Sequence, residues 1–201
     1  MPQDSDNSAP SPAPLARFSE RYGLAGEKVA ADSGELDILE EVVPRPLLEF
    51  WRLQGFGRYA DGLIWTHNPA SFQDVLTEWT NLPEREAVLI ARFSFGDFCF
   101  WAEGRAYFAD VHLGKATELA RDIEFLFDYV LCRDQFLQDV LRLRLHQDCT
   151  TRLGRLRAEE CFAFVPARAL GGPCTPETVQ RVALREHLAL LAQLAGPIRI
   201  R

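Results

Sequence analysis

Apolar residues fall in short blocks along the chain, and their spacing switches between helical and strand periods. In PLLEFWRLQG, introduced by Pro44 and Pro46, Leu47, Phe50, Trp51 and Gln54 share one helical face, and Gly55 suits the stop. GFGRYADGLIW then sets glycines before an apolar strand at 63–65. A second helix is signalled by Asn68 as cap, Pro69 in the first turn, and Phe72, Val75, Leu76 and Trp79 at helical spacing. Residues 87–113 read as a β-meander: AVLIARFSF, a Gly96-Asp97 turn, FCFWAE, a turn at Gly104, and RAYFADVHL. These strands are apolar on both sides in places, so helices must cover at least one face of the sheet.

After Gly114 the pattern becomes helical. Thr117 heads TELARDIEFLFDYVL, with Leu119, Ile123, Leu126, Phe127 and Val130 as its stripe. Phe136, Leu137, Val140, Leu141 and Leu145 make another. Pro176 opens ETVQRVALREHLALLAQL, capped by Thr175 and ended by Gly196-Pro197, while ECFAFVPARALGG between them is strand-like. At the other end, residues 1–15 hold four prolines and three serines and cannot bury enough apolar surface to offset ordering. From Phe18 to Leu39 a weak, charged pattern broken by Gly23, Gly26 and Gly34 predicts a short helix and a long loop. The expectation is an α+β chain. A flexible tail (1–16) precedes an N-terminal α/β domain whose antiparallel β-meander is covered by helices (17–115), and a mainly helical C-terminal domain (116–201) follows.

Composition narrows the function. With 47% hydrophobic residues over 201, a packed core is within reach. No apolar run approaches the roughly 20 residues of a membrane span, and MPQDSDNSAPSPAP lacks the basic and apolar regions of a secretory signal, so a cytoplasmic location is expected. Five cysteines at irregular spacing, none in a CxxC pair, read as reduced buried thiols. The net charge of -7 is uneven, because residues 1–50 carry ten acidic against four basic side chains. An acidic first quarter argues against direct binding of nucleic acid and suits a basic protein partner.

The search for catalysis returns structural readings. His67, His112, His146 and His187 form no HExxH or HxH. Asp110 and His112 share a strand face but nominate no third ligand. Glu186 and His187 point about 100° apart around a helix and form no dyad. GFGRYADG lacks the GxxxxGK[ST] of a phosphate cradle, no GxSxG elbow is present, and the adjacent pairs Glu40-Glu41 and Glu159-Glu160 do not converge on one atom. No catalytic residue, metal site or cofactor is predicted. Most of the aromatic residues fall at core periodicity, but Tyr59, between Arg58 and Asp61 in a glycine-rich loop, reads as an exposed anchor of the kind interfaces use.

The segment LLEFWRLQGFGRYADGLIWTHNPASFQDVLTEWT, with the later turn Phe95, Gly96, Asp97, resembles the GAD-like domain of type VI secretion immunity proteins. ECFAFVPARALGGPCTPETVQRVALREHLALLAQLAGPI resembles the domain that commonly follows it. The resemblance implies a cytoplasmic antidote, co-produced with a nuclease effector, usually a DNase, that holds the toxin away from DNA in a stable complex. It supplies no catalytic residues. On this basis Glu35, Asp37, Glu40 and Glu41 are expected to give field and salt links to the nuclease, with Arg58, Tyr59 and Asp61 as closer anchors in a 1:1 complex. Two rivals stand beside it. One is an SMI1/KNR4-like immunity or scaffold protein against another toxin class; the other is a metal-dependent hydrolase using Asp110, His112 and a cysteine.

Overall fold

Strand-forming blocks pair with their sequence neighbours, whether a tight turn or a pair of helices joins them, and that rule builds the whole main sheet. A computed structural model describes residues 13–23, 26–80, 82–83 and 86–198. The seven strands of the main sheet are β1 (Gly26–Val29), β2 (Phe56–Tyr59), β3 (Ile64–Thr66), β4 (Ala87–Phe93), β5 (Phe98–Ala102), β6 (Arg105–Asp110) and β7 (Lys115–Ala120). They lie side by side in chain order, each antiparallel to the next. In the centre Val88 faces Trp101 and Phe100 faces Tyr107 across the strands.

Alternation sends the side chains of these central strands to two separate cores. Val88, Ile90, Cys99, Trp101 and Phe108 enter one. Helices α1 (Ala16–Tyr22), α2 (Ser33–Asp37), α3 (Arg45–Gln54) and α5 (Asp134–Asp139) and a π-helical turn at Phe125–Val130 cover that side. Leu89, Phe98, Phe100 and Tyr107 enter the other, under α4 (Gln73–Thr80) and α7 (Leu184–Ala195). Helices therefore cover both faces. Phe18 is the hub of the first core, with its ring 4.9 Å from Tyr22, 4.9 Å from Tyr59 and 5.2 Å from Phe127.

The best-patterned helices form as their sequences direct. α3 buries Leu47, Leu48, Phe50 and Trp51 and ends at Gly55, whose amide donates to the Trp51 carbonyl at 2.8 Å. At φ 70° a Cβ on Gly55 would lie 2.4 Å from the Val29 carbonyl oxygen, so only glycine lets β1 approach. The Asn68 side chain accepts from the Ala70 amide at 3.0 Å, and α4 buries Val75, Leu76 and Trp79.

Four differences from the sequence reading stand out, and long-range strand pairing causes three of them. Residues 115–120, expected to start a helix, form β7 because Gly114 turns them back onto β6, where Thr117 faces Phe108. Residues 179–183, expected inside the last helix, are β9 (Val179–Ala183), paired with β8 (Glu160–Phe164). The C-terminal part thus carries strands as well as helices. β1 and α2 occupy what read as a long loop. The helical stripe 136–145 is divided into α5 and α6 (Leu143–Leu153) by Arg142, at φ 58°. Of the expected tail, residues 1–12 lie outside the described residues, while Leu15 is 1% exposed and belongs to the first core.

Candidate partner-binding surface

The acidic turn between α2 and α3 is the most charged exposed feature the sequence nominated. Asp32 starts it, accepting from the Glu35 amide at 3.1 Å. Leu36 alone of α2 is buried, which pins the helix and leaves Glu35, Asp37, Glu40 and Glu41 exposed. Arg52 on α3 reaches back to Asp37 at 2.8 Å and Glu40 at 2.7 Å. Its hydrogen bonds to Glu40 and Asp37 hold this guanidinium above its ordinary pKa. Glu35 accepts from the Asn68 side-chain amide. Asp37 and Glu40 thus share a cation, while Glu35 turns to Asn68. Glu41 forms no ion pair among the described residues.

The expected anchor loop is built differently. Tyr59 is 3% exposed and packs its ring against Phe18 and Phe50, so it cannot reach a partner. The physical reason is that 56–59 is a strand rather than a loop, and Phe56 and Tyr59 both enter the first core. Arg58 sits on β2 between Gly26 of β1 and Trp65 of β3, its side chain 15% exposed and 3.7 Å from Glu27. Asp61 is exposed, at φ 56°, and pairs with Arg155 at 3.0 Å. The structure therefore joins Asp37 and Glu40 on Arg52, leaves Glu35 and Glu41 exposed in the same stretch, sets Arg58 and Asp61 apart on other partners, and removes Tyr59 from the surface.

The residues that suggested catalysis are committed to the fold. Asp110 accepts from the amides of His112 at 3.0 Å and Leu113 at 2.9 Å, closing the turn into β7. His112 donates from Nε2 to the Phe95 carbonyl at 3.0 Å, and burial pulls its pKa down. Among the described residues no group of three His, Cys, Asp or Glu converges to hold a metal. Cys99, Cys132, Cys149 and Cys161 are buried and Cys174 is exposed.

Sequence reading also missed a buried polar link. Asp97, 1% exposed, accepts from the Val111 amide at 3.1 Å and from Arg142 Nη1 at 2.6 Å. The Phe-Gly-Asp turn was visible in the sequence, but its partner lies 45 residues away with no local signal. Close by, Arg92 is 2% exposed, sits 4.5 Å over the Trp65 ring and donates to the Ala158 carbonyl, while Phe162 donates to the Ser94 carbonyl at 2.7 Å. These contacts fasten the β8–β9 ribbon to the end of β4.

Residues 14–113 match the GAD-like domain family, and residues 120–195 match the family of the C-terminal domain of the type VI secretion system immunity protein Tdi1. No curated protein matches the sequence. Among solved structures, Atu4351 from Agrobacterium tumefaciens has the same fold, with a TM-score of 0.76 and 17% identity over 92% of this chain and 90% of that one. No helix among the described residues is long and apolar enough to cross a membrane.

Proposed function

From a chain whose two consecutive segments belong with a GAD-like domain and a type VI secretion immunity domain, we infer an antidote that acts by capturing its cognate effector. That pair of matches carries the reading. Binding of this kind needs no reacting groups, and His112 is held by the Phe95 carbonyl while four of the cysteines are buried. The effector is a nuclease, specifically a DNase, held 1:1 in the cytoplasm of the producing cell.

The acidic turn of α2 and α3 supports that choice. A DNase must present a basic face to phosphates, and Glu35, Asp37, Glu40 and Glu41 would meet that face with the opposite sign. Arg58 and Asp61 would contribute at the flanks. The complex keeps DNA away by occupying or distorting the site where it binds. Mixing the purified chain with the effector encoded beside it tests this, using co-elution and DNA cleavage as readouts. Stoichiometric co-elution with loss of cleavage is expected. Separate elution with cleavage unchanged would sink the reading.

A further inference from the structure

On the same helical layer as the acidic turn, α1, the π-helical turn and α5 frame a groove of about 750 Å³. Leu126 and Phe127 of that turn are fully buried, and Leu119, Phe136 and Val140 line the groove floor. Phe125 and Tyr129 do the opposite. They are 50% and 55% exposed and stack on each other, with centroids 5.5 Å apart and planes 20° off parallel. Arg17 lies 5.1 Å from the Tyr129 ring, a cation over an aromatic face.

The groove is held open by its own bonds. The Phe18 amide donates to Asp128 at 2.9 Å, the Tyr22 hydroxyl donates to the Leu131 carbonyl at 2.6 Å, and Arg21 pairs with Asp134. A partner would meet walls already in place and would lose little entropy in ordering them. Two arginines, Arg17 and Arg133, line it against one carboxylate, Asp139, and among the described residues neither arginine forms an ion pair. Stacked aromatics beside unneutralised guanidinium groups are the composition of an interface hot spot.

We propose that this groove is a second effector-docking site, which receives an effector segment bearing a large apolar side chain flanked by carboxylates. The inference rests on the antidote reading above and extends it: the acidic turn meets the effector's basic face, and the groove grips a different, acidic and apolar part of the same molecule. Both sites lie on the helical layer over one sheet face, so one partner can span them.

Calorimetric titration of the effector into the wild-type chain, Tyr129→Ala and the double variant Arg17→Glu/Arg133→Glu tests it. Both variants should weaken binding about thirty-fold or more, as loss of a hot-spot residue does. Their unfolding midpoints should match wild type, because the altered side chains are exposed or line the groove rather than the core. Tight wild-type binding with both variants within about two-fold would overturn the groove while leaving the antidote reading intact. The same holds if the variants lose only self-association, which would assign the groove to a second copy. No binding by the wild type would instead overturn the antidote reading, and the groove proposal with it.

Discussion

Burial keeps the four histidines short of protons. It lowers the pKa of His67, His112, His146 and His187, the last to about 4, with the neighbouring charge of His112 adding to the effect. In the unfolded chain each returns to its ordinary value near 6.5. Between about pH 6.5 and 4 the unfolded state therefore binds more protons than the native one, and stability falls as pH falls. Urea unfolding at stepped pH should show this loss, and His187→Gln should make it shallower by about 1.4 kcal/mol per pH unit at most. Arg142 gives a second expectation. Arg142→Ala leaves Asp97 buried and unpaired, costing about 3–5 kcal/mol, while adding Asp97→Asn should recover part of the loss in the urea midpoint. At this scale the sequence was legible where residue type settles burial, as for Phe18 or Trp51. It misled at Tyr59, where nearby glycines suggested a loop although the residue lies in a strand of the core sheet.

Most elements announced by local chemistry are reproduced, although the Thr175-Pro176 signal opens a short turn and β9 instead of a helix. The Asn68-Pro69 cap, the Gly55 stop and the glycine-turned meander all act within a few residues of themselves. β1, β7 and β9 could not be read that way, because each exists through a partner strand, and β7 and β9 contain residues equally suited to helix. Gly55 joins the two kinds of information, ending α3 locally and admitting Val29 from a distant strand. Gly55→Ala should cost about 2 kcal/mol or more, seen as a lower thermal midpoint, from the positive φ together with the clash against the Val29 carbonyl.

Across the whole molecule, charge and shape are divided among faces. The acidic turn and the aromatic groove share the layer formed by α1, α2, α3 and α5, whereas α4 and α7 close the opposite side. The charge asymmetry could be read from composition alone. The groove could not, because Phe125 and Tyr129 sit on the flank of a stripe that otherwise reads as core. Glu40→Lys/Glu41→Lys should slow association with a basic effector by about ten-fold or more at low salt, and the difference should shrink as salt is raised, as stopped-flow mixing would show.

α7 has a bearing on when the protein becomes useful. Leu184, Leu188 and Leu191 share with Val75, Leu76 and Trp79 of α4 the shielding of Leu89, Phe98 and Phe100 on the second sheet face. A ribosome makes the α7 leucines only after the sheet strands, and at about 5–20 residues per second the delay is several seconds. During that interval α4 alone covers the second face of the nascent sheet, and the Asp97 carboxylate waits for Arg142. A fresh copy therefore completes its second core only once α7 has been made.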